Sequence, residues 1–199
     1  MKKWYEELFL NGCNENDGHS SPYATLKLCF DKVCLNLDDV LYLDCDTIIQ
    51  KDLRPMYYRY LEELHKSNYC YAGYYIPFDE PQGDKEKELV AGILLFDLIK
   101  CRKTNFFDRV RYNVTHKFYR WYEQSAIEDT EIGFEMEETY NYMEKYEERS
   151  YDPAILHFAN QLNPKIYFST PRVFYNKFPH LKYIEKGVAL VNSLNLQYK

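Results

Sequence analysis

Two unbroken apolar runs dominate the hydrophobic pattern of the chain. One is Val40–Leu43, which ends at Asp44, and the other is Leu89–Phe96, which ends at Asp97. A strand with one exposed face would alternate apolar and polar residues, so short unbroken runs indicate strands that are buried on both faces. We therefore predict two such strands and expect the first to lie at the centre of its sheet.

Helical spacing is clearest after Asp52, where apolar residues recur at intervals of three and four through residue 64. This pattern predicts an amphipathic helix that packs on the sheet, with Asp52 as its N-cap. Other segments predict helices over 22–34, 99–122 and 128–148, strands over 69–75 and 154–158, and a surface loop over the proline- and acid-rich residues 77–88. Strands that alternate with helices predict an α/β fold with a Rossmann-like, open, mostly parallel sheet and flanking helices.

The composition is that of an ordinary globular domain. The 199 residues are 46% apolar and 28% charged, and we expect one domain over residues 1–199. A net charge of −6 argues against nucleic acid as a partner, because binding to phosphates needs a field of Lys and Arg. No apolar run approaches the roughly 18 residues of a membrane span, and none near the start suits a signal peptide, so we expect a cytoplasmic protein.

The cysteines and the C-terminal tail add two expectations. Six Cys without a CxxC pair predict reduced, mostly buried thiols and not a zinc site or a disulfide framework. From Lys177 onward lysines are mixed with aromatic residues, which predicts a solvated extension. Peripheral contact of this tail with an anionic membrane is the alternative.

The most informative motif is the D-x-D formed by Asp44 and Asp46 at the end of the first apolar run. Residues two apart in an extended chain project to the same side, so both carboxylates can converge on one cation at the carboxyl end of the strand. Mg²⁺ or Mn²⁺ held by two carboxylates commonly completes its shell with phosphate oxygens and water, which points to a nucleotide diphosphate. The alternative is that the two residues only end the strand and cap a turn.

Around this motif the chain resembles glycosyltransferase family 8, the retaining transferases that include lipopolysaccharide galactosyl- and glucosyltransferases and glycogenin. The matching segments are 23–26, 40–46, Asp52-Leu53, 91–98, 129–131 and 155–158, in the family's order over residues 20–170. The resemblance implies a GT-A fold, Mn²⁺ (or Mg²⁺) and a UDP-sugar donor. It also implies that an N-terminal nucleotide-binding portion is truncated, because few residues precede the matched core, and that residues 171–199 are a C-terminal extension.

Site residues follow from the resemblance position by position. Asp44, Asp46 and His157 are implied to be metal ligands, and Asp44 thereby also contacts the donor; the imidazole favours Mn²⁺. Ala91 and Gly92 are implied to let the sugar approach the backbone. Asp129 is implied to bind the sugar hydroxyls and to take part in catalysis, with Asp129-Thr130-Glu131 standing where the family has Asp-Gln-Asp.

Three functions remain open from the sequence. The first is a metal-dependent, retaining hexosyltransferase that moves a sugar from a UDP-sugar to a glycan, lipopolysaccharide or protein-glycan acceptor. The second is a catalytically impaired or split transferase that acts as a binding module. The third is a haloacid-dehalogenase-type phosphatase, whose nucleophile and acid also form a D-x-D after a strand, although Thr47 and Ile48 stand where that family has Gly-Thr.

Overall fold

The structure is a computed structural model that describes residues 22–45, 47–82, 85–119, 121–143 and 153–157. All of these lie in one compact unit, Met1–Ala159. Asp46 and the expected extension 171–199 lie outside the described residues, so the prediction of a single domain stays a prediction. Within the ranges given, no helix has the length and apolar character needed to cross a membrane.

The described chain contains both helices and strands. A 3-10 helix, Pro22–Cys29, leads into α1 (Phe30–Val33), and the later helices are α2 (Arg54–Lys66), α3 (Leu98–Lys103), α4 (Phe106–His116), α5 (Tyr122–Thr130) and a 3-10 turn, Glu138–Tyr140. The strands are β1 (Asp39–Leu43), β2 (Thr47–Ile49), β3 (Tyr71–Gln82), β4 (Lys85–Asp97), β5 (Phe134–Glu135), β6 (Tyr142–Met143) and β7 (Ile155–His157).

The strands form two sheets, one in the order β1-β4-β3-β5 and one in the order β2-β7-β6. Pairings β1·β4, β3·β4 and β2·β7 are antiparallel, whereas β3·β5 and β6·β7 are parallel. The expectation of a mostly parallel sheet is therefore wrong for the described strands. The reason is that β3 and β4 follow each other almost directly, and a parallel pair would need a crossover of a dozen or more residues between them. Residues 77–88, predicted as a loop, lie largely in these two strands.

Burial distinguishes the two apolar runs. Strand β4 lies between β1 and β3, and its residues alternate between two cores: Leu94 and Phe96 pack in one, Ile93 and Leu95 in the other. The prediction of a strand buried on both faces is confirmed for β4. Strand β1 is only half-buried, although its residues pack against both cores. The expectation that it lies at the centre of its sheet is wrong, because it stands at one end of the four-stranded sheet among the described strands.

Helices cover both faces of the larger sheet. Helices α3, α4 and α5 supply Cys101, Phe106, Phe107, Val110 and Ala126 to one core. Helix α2 supplies Met56, Tyr60 and Leu64 to the other. This helix confirms the prediction made from helical spacing, although its N-cap is Leu53 and the carboxylate of Asp52 accepts the backbone N–H of Arg54 at 2.9 Å.

Two predicted helices differ from the structure. The segment 99–122 contains α3 and α4, which are separated at Asn105, a residue with a left-handed backbone (φ 53°). The prediction of a helix over 128–148 is wrong for the described residues of that segment, because α5 ends at Thr130 and short strands follow. At Gly133 an added Cβ would lie 2.6 Å from Cδ2 of Tyr71, so the chain packs directly on that ring instead of continuing as a helix.

Candidate active site

The end of β1 brings together two of the predicted metal ligands. The backbone N–H of Asp44 donates to the Gly92 carbonyl at 2.7 Å, which extends the contact of β1 with β4 by one residue. Strand β2 begins at Thr47 and pairs with β7 in a register that places Thr47 opposite His157. As a result Nε2 of His157 lies 3.7 Å from Oδ2 of Asp44, although more than a hundred residues separate them in sequence.

The pair has the donor atoms and the spacing that a divalent cation requires. Metal–ligand bonds to imidazole nitrogen and carboxylate oxygen are roughly 2.0–2.2 Å, so two donors 3.7 Å apart can both reach one ion. The side chain of His157 is 4% exposed and that of Asp44 is 31% exposed, so the pair opens to solvent on the carboxylate side. Among the described residues no group of three His, Cys, Asp or Glu side chains forms a cluster that could hold a metal. Asp46, the remaining predicted ligand, is outside them.

Oδ1 of Asp44 is held on the side away from His157. The hydroxyl of Tyr42 donates to it, and the Nζ of Lys27 lies 3.8 Å from it. Burial raises the pKa of Tyr42, and the neighbouring charge of Asp44 raises it further, so the phenol keeps its proton and remains a donor. These contacts orient the carboxylate so that Oδ2 is the atom nearest to the imidazole.

Lys27 is a buried cation at the centre of this site. Its side chain is 1% exposed, and its Nζ donates to the Ala91 carbonyl at 3.0 Å and to Oε1 of Glu123 at 3.3 Å. It also lies 4.5 Å from the centroid of the Tyr42 ring. A buried ammonium is stable only when it is paired and hydrogen-bonded, and these three partners together with Asp44 meet that requirement.

The two small residues of β4, Ala91 and Gly92, contact other residues of the protein. The N–H of Ala91 donates to Oε1 of Gln124 at 3.0 Å, and its carbonyl accepts from Lys27. A Cβ built on Gly92 would overlap the imidazole of His157, at 2.5 Å from Nε2 and 2.9 Å from Nδ1. Gly92 therefore makes room for His157, and contact of Ala91 or Gly92 with a sugar stays a prediction.

Asp129 is not brought together with Asp44 and His157. It lies near the end of α5 and accepts from Lys117 Nζ at 2.8 Å and from Tyr119 Oη at 2.6 Å. These bonds lower the pKa of its carboxyl. Asp129 lines an open cavity of about 360 Å³ between α4 and α5, to which neither Asp44 nor His157 contributes.

Sequence reasoning missed Lys27, Glu123, Gln124 and Asn141. Lys27 was missed because an α-helix is predicted over 22–34, whereas the structure has a 3-10 helix over Pro22–Cys29 that buries Lys27 and leaves Leu26 exposed. Glu123-Gln124-Ser125 did carry a signal. It contains the amide Gln124, a residue type that the resemblance leads one to expect and that Asp129-Thr130-Glu131 lacks.

Comparison with known proteins finds structures with a similar fold but no related sequence. No protein-family model matches the sequence, and no curated protein matches it. The galactosyltransferase LgtC, solved with donor and acceptor sugar analogues, is similar in structure with a TM-score of 0.56 at 16% identity, over 87% of this chain and 77% of that one. The bifunctional glycosyltransferase WbbM gives 0.52 at 15% identity, over 73% of this chain. Mouse xyloside xylosyltransferase 1 gives 0.51 at 11%, over 77% of this chain and 69% of that one.

These similarities define the class of fold. The mixed sheet with helices on both faces is that of the GT-A glycosyltransferases, which confirms the GT-A fold that the resemblance implied. The chain spans 33% of the length of WbbM. Identities below 20% establish the fold and leave the reaction to be argued from the site.

Proposed function

We propose that the protein is a metal-dependent, retaining glycosyltransferase that moves a hexose from a UDP-sugar to a glycan or lipid-linked acceptor. The observation that carries this proposal is the approach of His157 to Asp44 at the end of β1 in a GT-A fold. The similar structures are sugar transferases, and LgtC was solved with analogues of both a donor and an acceptor. These similarities support a sugar donor and a sugar acceptor as partners.

Asp44, Asp46 and His157 would hold the ion, Mn²⁺ or Mg²⁺. When bound, a divalent cation supplies the charge that a diphosphate leaving group needs as its bond to the sugar breaks. The contribution of the protein is to orient the ligands: Tyr42 and Lys27 hold one oxygen of Asp44, and Gly92 leaves space for the imidazole. Lys27 also adds a fixed positive charge beside the position expected for the diphosphate.

Glu123 and Gln124 are better placed than Asp129 to contact the donor. Glu123 contacts Lys27 at 3.3 Å, which in turn lies 3.8 Å from Asp44. Gln124 bonds the backbone of Ala91, next to the residue that packs on His157. We therefore transfer the proposed sugar-binding role from Asp129 to Glu123 and Gln124, because they contact Lys27 and Ala91 next to the metal-ligand residues and Gln124 supplies the amide that Asp129-Thr130-Glu131 lacks.

A thermal-shift panel tests the proposal. UDP, UDP-glucose, UDP-galactose and GDP-mannose are each added with and without Mn²⁺. We expect the UDP compounds to raise the melting temperature only with Mn²⁺, since a ligand that binds the folded state alone stabilises it by RT ln(1 + [L]/Kd). Asp44→Ala and His157→Ala should abolish this shift. Asp129→Ala, which removes a carboxylate bonded elsewhere, is the matched control and should retain it. Absence of any Mn²⁺-dependent shift with UDP in the unsubstituted protein would contradict the proposal.

A binding module that does not turn over is the second candidate. It is favoured by the internal hydrogen bonds of Ala91 and by the imidazole that fills the open side of Gly92, because both leave less of the β4 backbone to a sugar. Donor binding without hydrolysis of the UDP-sugar or transfer to an acceptor would identify this case. The phosphatase alternative depended on the strand and D-x-D alone, and the GT-A fold does not support it.

A further inference from the structure

Asn141 is a buried polar residue that contacts the imidazole of His157 from behind. It lies between the 3-10 turn Glu138–Tyr140 and β6, and it is 0% exposed. Its Oδ1 is 2.8 Å from Nδ1 of His157, and its Nδ2 donates to the Val90 carbonyl at 3.1 Å. The side-chain amide thus connects β4 to the ring at the end of β7.

These two contacts determine which nitrogen of His157 carries the hydrogen. A backbone carbonyl can only accept, so the NH₂ group of Asn141 must face Val90. The oxygen of the same amide then faces Nδ1, and since that oxygen also only accepts, Nδ1 must be the donor. In the neutral ring the lone pair is therefore on Nε2, the nitrogen 3.7 Å from Oδ2 of Asp44.

We propose that Asn141 is a positioning residue that selects the Nδ1–H tautomer of His157 and thereby presents Nε2 as a ligand atom next to Asp44. The consequence for metal binding rests on the function proposed above, whereas the tautomer itself follows from the contacts of Asn141 alone. A histidine ligand whose second nitrogen is fixed by a hydrogen bond loses less orientational freedom when it binds a metal. The tautomer matters because the other tautomer would direct an N–H, and not a lone pair, towards the carboxylate of Asp44.

Nitrogen NMR of the metal-free protein tests the tautomer directly. In protein with ¹⁵N-labelled histidine, at a pH where the His157 ring is neutral, we expect a protonated Nδ1 and an unprotonated Nε2. A predominant Nε2–H form in the unsubstituted protein would overturn the proposal, whatever the protein binds. This measurement needs neither metal nor activity.

Variants then separate positioning from packing. Asn141→Ala should raise the Nε2–H population of His157 and weaken Mn²⁺ binding by about 10- to 100-fold in calorimetry, as is typical when a partner of a ligand histidine is lost. Asn141→Asp keeps an acceptor facing Nδ1 and should retain the tautomer. Asn113→Ala is the matched control, since the amide of Asn113 bonds Oγ1 of Thr130 at 2.9 Å, and it should change neither readout.

The outcomes distinguish this proposal from the proposed function. The predicted tautomer in a protein that does not bind Mn²⁺ would support the role of Asn141 and contradict the metal site. Mn²⁺ binding that is equally tight in Asn141→Ala, with an unchanged tautomer, would contradict the role of Asn141 and leave the metal site standing. If Asn141→Ala does not fold, the unsubstituted protein and Asn141→Asp still decide the tautomer.

Discussion

Gly92 packs against His157, so a substitution at this one residue is expected to affect both the packing of β4 and the candidate metal site. Because a Cβ at this position would overlap the imidazole of His157, Gly92→Ala must displace the ring or β4. We expect a loss of about 1–3 kcal/mol in the free energy of unfolding, the usual cost of overpacking, together with loss of the Mn²⁺-dependent thermal shift. Urea denaturation and the shift with UDP and Mn²⁺ measure the two effects.

Gly73→Ala is the matched control for this substitution. A Cβ at Gly73 would approach the methyl groups of Leu89 and Leu94 at 2.8 Å, and these ends of flexible side chains can move. We expect a smaller loss of stability and an unchanged Mn²⁺ response. Equal effects of the two substitutions on the metal response would show that Gly92 has no specific relation to His157.

The sequence led to Asp44 and His157, which the structure brings together, but it did not lead to the buried polar residues around them. D-x-D after an apolar run is visible in sequence, and the resemblance to a family added His157. Lys27 and Asn141 have no such signal, since a Lys or Asn is usually exposed and only the folded structure surrounds these two with partners. Asp129 was selected by motif order, but the turn of α5 that faces β4 carries Glu123 and Gln124 instead.

At the scale of elements, the break between α3 and α4 depends on Asn105. Its φ of 53° and ψ of 35° place it in the left-handed region, which Asn tolerates better than other residues with a Cβ. We expect Asn105→Gly to leave stability unchanged or slightly higher. Asn105→Val should lower the free energy of unfolding by about 1–2 kcal/mol, because a β-branched residue is strained there.

Urea denaturation of the Asn105 variants measures this difference. Lys103→Ala, an exposed substitution at the end of α3, serves as the control and should stay within about 0.5 kcal/mol of the unsubstituted protein. If Asn105→Val were as stable as Asn105→Gly, the left-handed break would not exist in solution and one continuous helix over 99–122 would become the better description.

Elements with a strong periodic signal were predicted well. The apolar spacing of α2 and the unbroken apolar run of β4 each show which residues are buried, so these two elements could be predicted without knowledge of tertiary contacts. The part of β3 and β4 within residues 77–88 was missed because Pro77, Pro81 and the acidic residues suggest a loop, although proline is tolerated where a strand lacks a ladder hydrogen bond. The charged residues after Thr130 suggest a helix, but the helix ends there and Gly133 packs on the ring of Tyr71.

The described part of the molecule contains two sheets, and the candidate site lies where a strand of each one ends. The sequence predicted a sheet with flanking helices but not this division, because antiparallel pairing of β1 with β4 and of β2 with β7 depends on contacts between distant segments. Asp44 follows β1 of the larger sheet and His157 ends β7 of the smaller one. Under the proposed function, one ion bound by both residues would therefore connect the two sheets.

This connection predicts a specific pattern of amide exchange. Strands β2 and β7 have three residues each, so local opening of the smaller sheet should cost less than global unfolding. Because opening would separate His157 from Asp44, UDP with Mn²⁺ should slow exchange in peptides that cover 39–45, 47–49 and 153–157. Peptides from α4, which carries none of the candidate metal ligands, should change little. Hydrogen–deuterium exchange by mass spectrometry measures this, and chelation of the metal should reverse it. Protection confined to β1, with no change in 153–157, would show that His157 does not take part in binding.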